Sequence, residues 1–235
     1  MSMKILSLDS SGMTASVAIL EDERLLAEYT VNYKKTHSQT LLPMLKEIAD
    51  MVELDLETVD AIAVAAGPGS FTGLRIGSAT AKGLGLALKK PLVHVPTLEG
   101  LAYNLFGTEK IICPMMDARR SQVYTGIYQF RDGELQVLED QMAVPVEGIA
   151  SKLNDMGQDA VLLGDGVGVY QEQLAKLLQI PYELAPIHLN QQRASAVAVC
   201  ALHYIMQGKV ETAAEHQPDY LRVSQAERER AKRNL

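Results

Sequence analysis

Short runs of apolar or alternating residues dominate the first half of the chain, and this pattern is typical of β-strands. The runs predict five strands, over residues 4–9, 14–20, 25–31, 61–65 and 92–95. Between and after the strands, apolar residues recur at the spacing of a helix face. This spacing predicts three helices, over residues 38–52, 73–88 and 97–105. Thr36 and Gln39 match a capping box at the start of the first helix.

The second half of the chain repeats this order in a weaker form. Its patterns predict strands over 111–117, 122–130, 135–144 and 161–163, and helices over 146–156, 169–178 and 195–206. The leading strand of each half ends in an acid, and each half has a glycine turn between a buried strand and a helix. A duplicated unit of this kind predicts an α/β fold with mixed sheets, built as two similar lobes that face each other across a cleft.

The helix predicted over 73–88 is unusually rich in small residues. Four of them recur at intervals of four: Gly73, Gly77, Ala81 and Gly85. At roughly 100° per residue, four polar side chains fall within a strip only about 60° wide, and almost all other residues of the helix are apolar or glycine. The four polar residues are Arg75, Ser78, Lys82 and Lys89. The small residues favour either close packing on the chain's own sheet or a docking surface for a partner's helix, and both can hold on different flanks.

Composition narrows the class of protein without naming a function. Of 235 residues, 47% are hydrophobic and 22% charged, and the net charge is −7, so extensive coating of nucleic acid or binding to anionic membranes is not expected. No secretory signal and no apolar run near the ~20 residues of a membrane span are visible. Cys113 and Cys200 are isolated among apolar residues, as buried thiols of a reducing compartment are. We therefore expect a cytoplasmic protein.

Asp9 and Asp117 end the two leading strands, where open sheets bind ligands. Two acids facing one cleft could hold a hydrated Mg²⁺ beside a triphosphate, or each could simply cap a turn. Glycine turns allow backbone amides to approach phosphate. The residues of a possible vestigial nucleotide cleft are therefore Asp9, Ser11, Asp117, Gly164 and Gly166.

Sharper catalytic motifs are missing. The segment 67–74 does not fit a Walker A loop, and 67–73 departs by one residue from the dinucleotide fingerprint. None of the five histidines forms a pair at i, i+4, which argues against a zinc site or a zinc peptidase. We predict no catalytic residue and no metal ligand.

Four further segments carry a resemblance to a known family. They are AGPGSFTGLRIGSATAKGL at 66–84, VPTLEGLA at 95–102, MDARRSQVY at 116–124 and PDYLR at 218–222. Together with the strand, acid and two serines at the start, they make the chain similar to the TsaB (YeaZ) family. That family is the non-catalytic paralogue of the tRNA threonylcarbamoyl-transferase TsaD, in the sugar-kinase/Hsp70/actin superfamily. The resemblance implies duplicated actin-like (RNase H-like) lobes with five-stranded sheets.

The resemblance also implies a role and partners. It implies a bacterial subunit for synthesis of N6-threonylcarbamoyladenosine (t6A) in tRNA, which pairs with and activates a TsaD-like paralogue. A TsaE-like ATPase would join the pair, tRNA would be met only through the complex, and the isolated chain would form a homodimer. No cofactor is implied beyond possible weak ATP or ADP binding. The implied interface residues are Leu42, Leu45, Gly73, Leu74, Arg75, Gly77, Ser78, Ala81, Lys82 and Gly85.

Departures from the catalytic paralogue agree with an accessory role. Where TsaD carries a metal-binding His-x-x-x-His motif, this chain has Thr97 and Leu101. In the second phosphate loop, Arg119 and Arg120 are expected to occupy the space of a triphosphate. The alternatives are a weak ATP-binding phosphotransferase or ATPase that uses the two acids, and a metallopeptidase, for which no ligands are found.

The predicted division into lobes follows the repeat. We expect a first lobe over 1–104 and a smaller second lobe over 105–204. The segment 205–223 is expected to return to the first lobe, and 224–235 to form a charged tail.

Overall fold

The computed structural model describes residues 2–34 and 36–222, so the predicted tail over 224–235 lies outside the described residues. Two five-stranded sheets form the framework. The first contains β1 (Lys4–Asp9), β2 (Thr14–Glu21), β3 (Arg24–Asn32), β4 (Ala61–Gly67) and β5 (Leu92–Pro96). Its order is β3-β2-β1-β4-β5, and β1 pairs antiparallel with β2 and parallel with β4.

The second sheet has the same plan. It contains β6 (Ile111–Asp117), β7 (Gln122–Arg131), β8 (Glu134–Pro145), β9 (Ala160–Leu163) and β10 (Tyr182–Leu184). Its order is β10-β9-β6-β7-β8, with β6 antiparallel to β7 and parallel to β9. β10 is absent from the predicted elements, because its three residues are too few for an alternating pattern to indicate a strand.

Within residues 2–34 and 36–222, six α-helices cover the sheets. They are α1 (His37–Met51), α2 (Phe71–Leu88), α3 (Thr97–Ala102), α4 (Val146–Met156), α5 (Asp165–Leu177) and α6 (Ala194–Met206). The predicted capping box of α1 is wrong, because the side chain of Thr36 makes no cap hydrogen bond. The predicted start of α5 near 169 is also wrong, because the helix begins directly after β9 and Gly164. Within the described part of the chain, no helix is both long and apolar enough to cross a bilayer.

Three apolar clusters divide the molecule into layers. One cluster joins the outer face of the first sheet to α1 and α2, and another joins the outer face of the second sheet to α4 and α5. The third lies between the sheets and includes α3 and α6. Successive side chains of β1 point to opposite faces of the sheet and so belong to different clusters. Ile5 faces the central cluster, whereas Leu6 and Leu8 face α1 and α2. Each such buried side chain contributes roughly 1.5–3 kcal/mol.

The start of α6 is bound to the first sheet. The hydroxyl of Ser7 donates to the carbonyl oxygen of Ala194 at 2.7 Å, and the amide of Ala194 donates to Ser16 Oγ at 2.8 Å. The amide of Ser195 donates to the carboxylate of Glu28 on β3 at 3.0 Å. Ala194 and Ser195 lie within the predicted second lobe, residues 105–204. We propose instead that the return to the first lobe begins at Ala194, while the boundary near 104 stays a prediction.

Candidate cleft and helix-pair surface

A polar cavity of about 430 Å³ opens where the two sheets face each other. Its walls come from the turn after β1, the turn between β4 and α2, the turn after β6, and the C-terminal segment 219–222. Of the residues predicted for the vestigial nucleotide cleft, Ser11 and Asp117 line the cavity. Asp9, Gly164 and Gly166 are not among its lining residues, so the predicted set is only partly brought together.

Asp9 lies beneath the cavity wall and is only 2% exposed. Its Oδ1 accepts hydrogen bonds from the amide of Ser11 at 2.8 Å and from the hydroxyl of Ser11 at 2.7 Å. Burial raises the pKa of Asp9 from 3.8 to about 6, although the bonds from Ser11 and the charge of His37 act in the opposite direction. The carboxylate therefore caps the turn after β1.

Asp117 makes the same turn in the second half. Its Oδ1 accepts a hydrogen bond from the amide of Arg119 at 2.8 Å, and another from the hydroxyl of Tyr170 at 3.0 Å. Burial and the bond to Asp117 raise the pKa of Tyr170. The two strand-end acids thus repeat one structural role, the capping of a turn two residues ahead, as the simpler of the two sequence interpretations expected.

The glycine turns use their amides within the chain. The amide of Gly67 donates to Thr97 Oγ1 at 3.0 Å, and the amide of Ser70 donates to the carbonyl of Ser11 at 2.6 Å. In the second half, the amide of Gly164 donates to Asn190 Oδ1 at 2.8 Å. Gly166 is required for packing, because a Cβ there would lie 2.9 Å from the carbonyl oxygen of Met115. These amides are not free for a phosphate.

The turn after β6 carries the two arginines that were expected to fill the phosphate space. Arg119, Arg120 and Ser121 have φ values of 65°, 60° and 57°. Arg119 lines the cavity, whereas Arg120 does not. The expectation is therefore wrong for Arg120, which is exposed and lies outside the lining of the cavity. Asp165 also lines the cavity, and burial raises its pKa.

The C-terminal segment crosses the mouth of the cleft, which sequence reasoning did not foresee. The amide of Asp219 donates to the carbonyl of Ala66 at 2.7 Å. The ring of Tyr220 stacks on Phe71 with centroids 4.4 Å apart, and the guanidinium of Arg222 donates to the carbonyl of Ala118. The only sequence signal was the PDYLR segment itself. Residues 219–222 thus join the β4–α2 turn to the turn after β6.

The small residues of α2 face the chain's own first sheet. A Cβ on Gly73 would lie 2.0 Å from the carbonyl oxygen of Ser10, and one on Gly77 would lie 2.5 Å from Ser10 Oγ. A Cβ on Gly85 would lie 2.3 Å from Leu92 Cδ1, and Ala81 is fully buried. The placement of Gly73, Gly77, Ala81 and Gly85 in a partner interface is therefore wrong. The backbone that approaches them belongs to this chain.

The other predicted interface residues divide between core and surface. Leu45 and Leu74 are buried in the core, and Ser78 is buried against His216. The ammonium of Lys82 donates to the carbonyl of His216 at 2.9 Å. The predicted strip of polar side chains on α2 therefore faces the C-terminal segment at Ser78 and Lys82. Leu42, which is 53% exposed, and Arg75 remain on the surface.

A second set of residues on α2 faces solvent beside α1. Ala79 and Gly83 are exposed one turn apart, and Leu86 follows with 68% of its surface exposed. A Cβ on Gly83 would meet nothing within 4 Å. Glycine within a helix costs about 1 kcal/mol relative to alanine. Because an alanine would fit at this position, packing inside the chain does not explain why residue 83 is glycine. We call Leu42, Ala79, Gly83 and Leu86 the helix-pair surface.

Comparison with known proteins adds the family. Residues 24–230 match the family model of TsaD, described as tRNA N6-adenosine threonylcarbamoyltransferase. The tRNA threonylcarbamoyladenosine biosynthesis protein TsaB of Bacillus subtilis is 33% identical over 229 residues, which are 96% of this chain and 96% of that protein. The chain belongs to the TsaB family.

Solved structures agree with this membership. YeaZ from Pseudomonas aeruginosa superposes with a TM-score of 0.81 at 30% identity, over 93% of this chain and all of that one. The ROK hexokinase from Thermus thermophilus has a TM-score of 0.50 at 14% identity, over 88% of this chain and 100% of that one, which shows a shared fold alone. The predicted α/β fold with two actin-like, five-stranded sheets is confirmed.

Proposed function

We propose that this TsaB family member is a non-catalytic subunit of t6A synthesis, which binds a TsaD-like catalytic paralogue and activates it. Activation would be a population shift, in which binding favours the competent conformation of the paralogue. The biosynthesis name of its Bacillus subtilis relative supports the pathway. In this proposal a TsaE-like ATPase joins the complex, tRNA contacts the complex as a whole, and the site of action is the cytoplasm.

The residues at the position of the missing metal ligands support a non-catalytic role. Thr97 is fully buried, and its hydroxyl oxygen accepts the hydrogen bond from Gly67 at the end of β4. Leu101 is 2% exposed and belongs to the cluster between the sheets. Both side chains serve the fold, and neither a hydroxyl bound to backbone nor an isobutyl group replaces an imidazole.

The helix-pair surface is the observation that carries the proposal. Gly83 weakens α2 without relieving any contact inside the chain, and Ala79 next to it leaves the helix backbone accessible. Leu42 and Leu86 add exposed apolar area on both helices. A helix of the paralogue can approach such a surface closely, with the large side chains packing beside it. Two copies of this chain would use the same surface when the paralogue is absent.

The test is a calorimetric titration of the purified chain with the TsaD-like protein of the same host. Ala79→Arg places a long charged side chain on the surface, and we expect the dissociation constant to rise about 30-fold or more, as for a hot-spot position. Ala175→Arg is the matched control, because Ala175 is an exposed helical alanine on α5. It is expected to leave the affinity unchanged.

Wild-type affinity for Ala79→Arg would contradict the proposed surface. Equal loss for both arginine variants would attribute the effect to added charge alone. A host strain that lacks the native gene adds a second readout, because its tRNA should regain t6A with Ala175→Arg and not with Ala79→Arg.

A further inference from the structure

A cluster of histidine and carboxylate side chains lies behind α2, outside the cleft. The C-terminal segment returns there along the edge of the first sheet, where Leu92 and Glu211 exchange backbone hydrogen bonds of 2.8 and 2.9 Å. This return brings Glu211 and His216 to His94 on β5. One imidazole nitrogen from each histidine and one carboxylate oxygen lie within 4.8 Å of one another.

Both imidazoles direct their Nδ1 atom toward Oε1 of Glu211. Nδ1 of His216 lies 2.6 Å from Oε1 of Glu211, and Nδ1 of His94 lies 3.8 Å from it. The opposite nitrogens are held by other groups. Nε2 of His94 is 2.9 Å from Asp219 Oδ2, and Nε2 of His216 is 2.9 Å from Ser78 Oγ. Histidines that bind metals are oriented in this way, with the second nitrogen bound to a carboxylate or another polar group.

The spacing also fits a small tetrahedral cation. Bonds of about 2.0–2.1 Å to nitrogen and oxygen place neighbouring ligand atoms about 3.3 Å apart. The separations of 2.6 and 3.8 Å fall on either side of that value, so shifts of about 0.5–0.7 Å bring both to it. The side chain of His216 is fully buried, whereas those of His94 and Glu211 are 26% and 25% exposed. A cation would enter from their side.

We propose that His94, His216 and Glu211 form a binding site for a zinc-class divalent cation, which fastens the C-terminal segment to the first sheet. Two imidazoles and one carboxylate are a donor set that suits Zn²⁺, with water as the fourth ligand. Glu211 and Asp219 supply two negative charges. The ammonium of Lys82, which donates to the His216 carbonyl, would repel a bound cation, but its single positive charge is smaller than the charge of the two carboxylates.

The consequence for the fold follows from the neighbours of the site. The carboxylate of Asp219 is hydrogen-bonded to His94. The backbone of Asp219 packs against Gly67, because a Cβ on Gly67 would lie 2.2 Å from the Asp219 carbonyl oxygen. The next residue, Tyr220, covers the mouth of the cleft through Phe71. A cation at this place therefore fixes the part of the chain that crosses the cleft. This proposal is independent of the proposed function.

The experiment uses the full chain without an affinity tag, stripped with chelator and titrated near neutral pH. We expect calorimetry to show one Zn²⁺ per chain, with a dissociation constant in the micromolar range or below. Co²⁺ should give the strong visible bands of a four-coordinate site, and Zn²⁺ should displace it. Zinc should also raise the midpoint of thermal unfolding.

Variants separate this site from adventitious binding. Glu211→Gln and His94→Gln are expected to raise the Zn²⁺ dissociation constant at least 100-fold and to abolish the cobalt bands. Asp219→Asn and Ser78→Ala, which alter the orienting groups, should raise it about 10–100-fold. His203→Gln is the control, because Nδ1 of His203 bonds to the Val199 carbonyl within α6.

Two results would overturn the proposal. One is a wild-type chain that binds Zn²⁺ no tighter than millimolar, in which case the cluster is a hydrogen-bonded fastening without metal. The other is unchanged affinity in His94→Gln and Glu211→Gln, which would place the bound metal elsewhere. Circular dichroism of each apo variant shows whether the fold is retained, and the wild-type titration decides independently of the variants.

Discussion

Two faces of α2 both carry small residues but have opposite surroundings. The covered face carries Gly73, Gly77, Ala81 and Gly85, and the open face carries Ala79, Gly83 and Leu86. On the covered face, Ser10 and Leu92 already occupy the space that the glycines leave, whereas Gly83 borders empty space. Small residues at helical spacing therefore do not show which face of a helix is covered by its own chain, and only the structure shows this.

The largest expected effect is on the covered face, at Gly73. Gly73→Ala puts a Cβ 2.0 Å from a backbone oxygen of Ser10, which no side-chain rotation relieves. We expect the free energy of unfolding to fall by about 3 kcal/mol or more, at the upper end of overpacking effects. Urea denaturation followed by circular dichroism measures this change. An unchanged midpoint would mean that α2 does not rest on the turn after β1 as described.

Asp9, in the turn beneath the covered face, makes a pH-dependent contribution. Its pKa is raised from 3.8 in the unfolded chain to about 6 in the folded one, so the folded state holds the proton more tightly. The free energy of unfolding therefore falls as pH rises from about 4 to about 6, by roughly 3 kcal/mol in total. Asp9→Asn keeps an oxygen acceptor for Ser11 and removes this loss.

We expect Asp9→Asn to be more stable than the wild type by about 2–3 kcal/mol at neutral pH, and the two to be nearly equal near pH 4. Thermal unfolding across this range measures the difference. The control is Asp117→Asn, whose wild-type carboxylate is more exposed in the other half of the repeat. A gain for Asp9→Asn that does not change with pH would contradict a buried, proton-binding Asp9.

The smallest effect compares the two faces directly. Gly83→Ala adds a methyl group to empty space and improves helix propensity, so the isolated chain should gain about 0.5–1 kcal/mol. Gly77→Ala should lose about 1 kcal/mol, because its Cβ displaces Ser10 Oγ from its 2.9 Å bond to the Gly73 carbonyl. Denaturant titration of both variants measures the change in the free energy of unfolding. A change in the same direction for both would contradict the distinction between the two faces.

Local patterns predicted much of the fold because hydrophobic period is a local property. The alternation of β1 and β2 and the continuous apolar run of β4 each specify a strand without reference to distant residues. The start of α5 was missed because its first turn contains Gly166 and Gly168, and glycine has low helix propensity. β10 was also missed, because three residues are too few for a hydrophobic pattern to indicate a strand.

Site predictions were weaker because they depend on which residues meet. Asp9 and Asp117 were correctly placed at strand ends, yet each carboxylate caps the turn that follows it. Histidine spacing at i, i+4 indicates ligands on one helix only, whereas His94 and His216 lie far apart in the sequence. Nor did any local pattern indicate that residues 219–222 cross the cleft.

The sequence by itself determined the class of fold, its duplication and its membership of the TsaB family, because apolar periodicity and family segments are written in consecutive residues. Only the tertiary structure decided which face of α2 is free, where Asp9 is buried and which histidines meet. These depend on the packing of residues far apart in the chain, whose separation in space no local pattern contains.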